Sequence, residues 1–179
     1  PQAATLNACA AIVRAAEITR SHDNLGRAEA LIQKVINQTD VAPLYAIIAT
    51  YWQAQIAVLV GRTENAQDYI DALLPYSGEV IRPNHLCVDE ILGSLYGLIE
   101  NFGSAKSHFQ QALDYWSDDY KVNILRIQLK YADLLEQTQN ADDRILASDL
   151  IDKAQQIARQ IDARPYLERA LSKRDILKA

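Results

Sequence analysis

The chain has 179 residues, with 18 Lys and Arg set against 23 Asp and Glu. A formal net charge of −5 argues against a nucleic-acid surface, which needs clustered cations to neutralise phosphates. The length carries a sizeable core within one domain, and six Gly and five Pro leave few breaks in a composition dominated by Ala, Leu, Ile and Gln.

Those residues lose little conformational freedom in a helix. No useful run shows the period-2 alternation of β-strands, so the expected class is all-α. No stretch approaches the ~18 apolar residues of a membrane span, and no basic-then-apolar leader opens the chain. Cys9 and Cys87 belong to no CxxC pattern and are expected as two buried, reduced thiols rather than a disulfide or a metal site. The expected location is cytoplasmic. The chain begins at Pro1 and contains no Met, which reads as a domain excised from a longer protein.

In chain order, the first hairpin is expected over residues 2–38, with a turn at Ser21-His22-Asp23-Asn24 whose cap residues precede the second helix. Thr39-Asp40-Val41-Ala42-Pro43 starts the next hairpin, 42–76, Pro being tolerated in a first turn. Pro75-Tyr76-Ser77-Gly78 separates it from a third, 84–117, which Arg82-Pro83-Asn84 leads into. The stretch Pro75 to Pro83 is expected as the weakest internal joint. Ser117-Asp118-Asp119 opens the fourth, 119–162, whose turn is lengthened around Asn140-Ala141-Asp142-Asp143. Arg164-Pro165 starts a last helix, 165–178, with Leu167, Ala170, Leu171 and Leu177 as its apolar face.

A repeat underlies these hairpins. Asn24-Leu25-Gly26-Arg27-Ala28 nearly coincides with Asn101-Phe102-Gly103-Ser104-Ala105. Ala28, Ala66, Ala105 and Ala147 recur about 40 residues apart, the range of helical-hairpin repeats, and Ile32, Ile70, Phe109 and Ile151 each follow by four positions. Upstream lie Ala16, Ala54, Gly93 and Ala132. Small residues at both places let two helices approach closely, since packing distance follows the contact side chains.

The third unit, Leu92-Gly93, Tyr96, Gly103, Ala105, Phe109 and Ala112-Leu113, resembles the tetratricopeptide consensus. The resemblance implies a right-handed solenoid of about four hairpins with a C-terminal capping helix, in which stacking buries faces that one hairpin cannot bury alone. Repeats nearer 40 than 34 residues, together with 147–154 and 163–170, resemble the tetratricopeptide-like arm of large bacterial regulators. In those, a signalling ATPase is coupled to a LuxR-type DNA-binding or nucleotide-cyclase domain, and the arm senses an inducer or binds protein.

In such a solenoid the first helix of each hairpin lines the concave binding face. That frame places Val13, Glu17 and Arg20 there from the first hairpin and Tyr51, Gln55 and Val58 from the second. Glu90, Ser94 and Gly97 come from the third, and Arg126, Leu129, Asp133 and Glu136 from the fourth. Mixed apolar and charged groups suit a peptide or helix; a plain solvated surface is the alternative. A carboxylate clamp of the chaperone-adaptor kind would need Lys and Asn where Val13 and Glu17 stand.

Catalytic chemistry has little to build on. His22, His85 and His108 fall in a turn, a hairpin entry and a packing helix, and no HExxH, GxSxG, Walker or GxGxxG pattern occurs. Asp118-Asp119 and Asp142-Asp143 lie at helix starts, where negative charge complements the helix dipole. Trp52 and Trp116 read as packing residues, and the basic stretch Arg164, Arg169, Lys173, Arg174 as a solvated helix face. The expectation is a non-enzymatic scaffold without cofactor or metal. It would bind a protein, a peptide or another domain of its own chain, or form a homodimer through an apolar end. A small-molecule sensor with Tyr51 or Trp52 as stacking platform is the alternative.

Overall fold

The computed structural model describes residues 2–82, 85–138 and 140–178, with side chains up to residue 175. Pro83, Asn84 and the Leu177 side chain lie outside the described residues. Nine α-helices account for most of the described chain: α1 (Gln2–Thr19), α2 (Leu25–Ile36), α3 (Pro43–Val60), α4 (Ala66–Leu73), α5 (Val88–Leu98), α6 (Phe102–Tyr115), α7 (Lys121–Gln137), α8 (Ala141–Gln160) and α9 (Arg164–Lys178). Short 3-10 turns at Leu74–Tyr76 and Asp118–Tyr120 and two two-residue strands complete them. The fold is predominantly helical. Two compact units divide at Glu100/Asn101, between α5 and α6 and away from the 75–83 stretch.

In unit 1, α3 packs against α1, α2, α4 and α5. Its 18 residues contain no charge, which makes it long and apolar enough to cross a membrane by length and composition. That corrects the expectation of no such stretch. The physical reason lies in the packing: a helix touched by four others buries Ile48, Ala49, Tyr51, Trp52, Ala54, Gln55, Ile56 and Ala57, and a helix covered on many sides turns apolar all round.

The connection from α4 to α5 corrects a second expectation. Val80–Ile81 (β1) and Leu86–Cys87 (β2) pair antiparallel, Val80 opposite Cys87 and Ile81 opposite Leu86, where no strand was expected. Asp89, in the first turn of α5 and 2 % exposed, anchors this excursion. Its carboxylate accepts from Ser77 Oγ at 2.8 Å and from the Gly78 amide at 2.7 Å. Gly78 adopts φ +83°, the left-handed region where glycine is at ease.

In unit 2, α7 packs against α6, α8 and α9, and α8 carries α9. Asn101 caps α6 by accepting from the Ser104 amide at 3.2 Å, and Asn140 caps α8 through the Asp142 amide at 2.9 Å. Asn24 and Asn65, before α2 and α4, make no side-chain cap bond.

Burial follows the small-residue frame within each unit. Ala28, Ala54, Ala66, Ala105, Ala132 and Ala147 are fully enclosed, as are Ile32, Ile70, Phe109 and Ile151. Phe109 stacks on Tyr131, with centroids 5.3 Å apart and planes at 15°. A second recurrence lies in the backbone. Arg20, Gly61 and Glu100, about 40 residues apart, close α1, α3 and α5 in the left-handed conformation, at φ 56°, 70° and 61°.

Candidate functional site

The residue directly after each small residue of the first helices is polar: Glu17, Gln55, Ser94 and Asp133 follow Ala16, Ala54, Gly93 and Ala132. In unit 1, α1 packs on α3 and α3 on α5, so three of these positions belong to helices packed in series. Their setting is interior. Val13, Tyr51 and Glu90 are at most 1 % exposed, and Glu17 and Gln55 are buried. Val58 and Ser94 are half-buried, Gly97 is buried, and Arg20 is exposed.

An open groove lined by Val13, Glu17, Tyr51, Gln55, Gly97 and Glu90 is therefore corrected: the helices close over these side chains. Arg20 is exposed, and its left-handed backbone makes it the turn residue ending α1. Ser94 Oγ donates to its own helix, at the Glu90 carbonyl, 3.0 Å away.

Around Trp52 the interior is aromatic and cationic. Arg14 lies 3.8 Å from the Glu17 carboxylate, and its guanidinium carbon sits 5.4 Å from the Trp52 ring centroid, within cation–π range. Tyr51 meets Trp52 edge-on, centroids 5.3 Å apart at 79°. The Trp52 indole N–H is buried and has no hydrogen-bond acceptor among the described residues. As a stacking platform Tyr51 and Trp52 are closed to solvent, each 1 % exposed.

In unit 2, Leu129 and Arg126 are buried, and Arg126 Nη1 donates to Asn123 Oδ1 at 3.2 Å. Asp133 and Glu136 are engaged by α9. Arg169 Nη2 reaches Asp133 at 2.5 Å, Lys173 Nζ bonds the same carboxylate, and Lys173 also reaches Glu136 at 3.1 Å. This corrects the reading of the basic stretch as a solvated face at Arg169 and Lys173, while Arg164 is exposed. Lys173 is 4 % exposed because two carboxylates on α7 compensate its charge, without which burial would be prohibitive. Arg174 adds bonds to Gln155 at 3.3 Å and an ion pair to Asp152 at 3.5 Å.

A second polar node joins α6, α7 and α8. The Asp143 carboxylate accepts from Lys106 Nζ at 2.6 Å and from Thr138 Oγ1 at 2.5 Å. The Lys106 bond first, then the Thr138 bond, hold its pKa below the usual carboxylate value against a smaller upward push from burial. Burial, aided by the Asp143 charge, raises Tyr131 above the usual phenol. Burial also pushes the Cys9 and Cys87 thiols up to about 12, the Glu90 and Asp89 charges adding to the effect at Cys87; both cysteines are free.

Sequence reasoning singled out neither Lys106 nor Asp89 and misassigned Arg169 and Lys173. The ion pairs Arg62–Glu29, Lys106–Asp143, Arg169–Asp133 and Lys173–Glu136 join residues 33 to 37 apart, beyond the reach of any local pattern. No group of three or more His, Cys, Asp or Glu among the described residues is placed to hold a metal ion. No family model, curated protein or solved structure matches the chain.

Proposed function

We propose that the chain is a protein-interaction scaffold, a right-handed tetratricopeptide-like solenoid serving as the interaction arm of a larger bacterial signalling or transcription regulator in the cytoplasm. The observation that carries this reading is the register of the first helices. A buried small residue, then a polar one, recurs at Ala16-Glu17, Ala54-Gln55, Gly93-Ser94 and Ala132-Asp133, while the remaining recurrent positions are apolar and enclosed. Recognition of a peptide or neighbouring domain accounts for polarity at that one place, beside the contacts within the chain that Glu17, Ser94 and Asp133 already make. Arg20, Val58 and Ser94 are the solvent-reachable members of unit 1 and form its contact row.

Photo-crosslinking amino acids at 20, 58 and 94 test this, with Arg27, Gln67 and Asp71 on the second helices as controls. A partner captured from the first set and not the second is the expected result. Capture from the second set alone overturns the reading.

A second reading, a small-molecule sensor, draws on one observation: the unsatisfied buried indole N–H of Trp52 beside Arg14. A ligand with an acceptor group would complete that bond. Trp52 emission in a Trp116→Phe chain that stays flat across candidate sugars and nucleotides removes this reading.

A further inference from the structure

The described side chains of α9 bury little apolar surface on unit 2, with Leu167 half-buried. Among its residues with described side chains, Tyr166 and Ala170 are the only buried hydrophobics, and Leu171 is 40 % exposed. By contrast α8 buries Ala147, Leu150, Ile151, Ala154 and Ala158. What fixes α9 is a row of cations, Arg169, Lys173 and Arg174, meeting a row of carboxylates, Asp133 and Glu136 on α7 and Asp152 on α8.

That match is incomplete. Arg169 Nε and Nη1 and Glu136 Oε1 are buried without a hydrogen-bond partner, and such groups lose their water without recovering the bond. A three-residue connection with Asp162 at φ 51° joins α8 to α9.

We propose that the α7/α8 face is a receptor for a basic amphipathic helix of a partner, and that α9 occupies it in cis as a displaceable stand-in. The partner helix carries the spacing α9 displays: an aromatic residue, a cation three positions on, a small residue at four, and a second cation at seven, as in Tyr166, Arg169, Ala170 and Lys173. Arginine fits the last position better than the resident lysine. A guanidinium presents a planar fork of donors to Glu136, whose second oxygen Lys173 leaves unmet, whereas an ammonium acts as a point charge. A helix with arginine there therefore outcompetes α9 for the same carboxylates. The inference extends the scaffold reading to one partner chemistry and rests on it only in that sense, since crosslinking along α1, α3 and α5 and binding at α7/α8 succeed or fail separately.

The test uses the full chain with Arg169→Glu and Lys173→Glu, which repels its own α9 from Asp133 and Glu136, and a labelled peptide of residues 161–179. Anisotropy should show binding at least about tenfold tighter than to the unsubstituted chain, where cis α9 leaves only a small open fraction. The Lys173→Arg peptide should bind tighter still, and adding Asp133→Lys and Glu136→Lys to the receptor should abolish binding. Equal affinity for both chains, or no binding to a reversed chain that keeps its helical circular dichroism, overturns the proposal. Should the reversed chain misfold, hydrogen exchange on the unsubstituted chain decides. Exchange in α9 should quicken on adding excess Lys173→Arg peptide while α8 holds, and α9 protection that ignores the peptide overturns the proposal.

Discussion

In unit 1 the central helix α3 carries no charged residue, whereas α7 of unit 2 buries an unbroken run from Leu125 to Ala132 that includes Arg126, Gln128 and Lys130. The ion pairs follow the same divide. Those of unit 1, Arg14–Glu17 at 3.8 Å and the exposed Arg62–Glu29, are long or solvated. Unit 2 has exposed pairs too, such as Lys153–Asp149, but it adds short, partly or largely buried ones, as at Lys106–Asp143 and Arg169–Asp133. Similar hairpins can therefore be closed by different forces. Apolar burial is nearly indifferent to pH and salt, while a buried charge contributes only while its partner stays ionised and close. Each unit holds one tryptophan, Trp52 in unit 1 and Trp116 in unit 2, so Trp116→Phe and Trp52→Phe chains report the two separately.

The largest effect expected is from Phe109→Ala, which removes the ring stacked on Tyr131 and should destabilise unit 2 by about 3–5 kcal/mol, read at Trp116 in a urea titration. Ile70→Ala is its counterpart in unit 1, at about 2–5 kcal/mol, read at Trp52. If either substitution moves both reporters equally, the units unfold as one body and the contrast between them loses its thermodynamic meaning.

Asp89→Ala follows, at about 1–3 kcal/mol in unit 1, because Ser77 Oγ and the Gly78 amide lose their acceptor. No change in the Trp52 midpoint would show the strand pair to be held by its ladder alone.

The pH dependence sharpens the contrast. With its folded pKa depressed, Asp143 contributes stability that is complete above the unfolded carboxyl value of about 3.9 and is lost as pH falls through the folded value. Lys106→Met should cost unit 2 about 1–3 kcal/mol at neutral pH and flatten its acid limb at Trp116. An unaltered acid limb in Lys106→Met would remove Asp143 as its source. The smallest effect is Arg62→Ala, under about 0.5 kcal/mol, since both partners are more than a third exposed; thermal denaturation should barely register it.

The helices and the small-residue frame were legible because both rest on periodicity, which a sequence displays directly. Ala28, Ala66, Ala105 and Ala147 gave the positions where helices meet, and those residues are enclosed. The groove residues were harder. Periodicity tells which face of α1 or α3 carries Val13 or Tyr51 but not how many neighbours cover that face, so buried positions read as an open lining. Lys173 shows the same limit for charge: its character is set by Asp133 and Glu136, 40 and 37 residues away, and no local pattern announces them. The β1–β2 excursion escaped notice because two residues per strand are too few to show alternation.

Arg20, Gly61 and Glu100 carry the left-handed turn that ends α1, α3 and α5, although they share no side-chain chemistry. The chain thus shows a period in its torsion angles at places where the residues differ. For protein engineering these turns are natural seams. Segments 21–61 and 62–100 each begin just after such a turn and end on one, each holding a second helix and the first helix that follows. They are the units to duplicate, exchange or delete when a helical chain of different length is wanted.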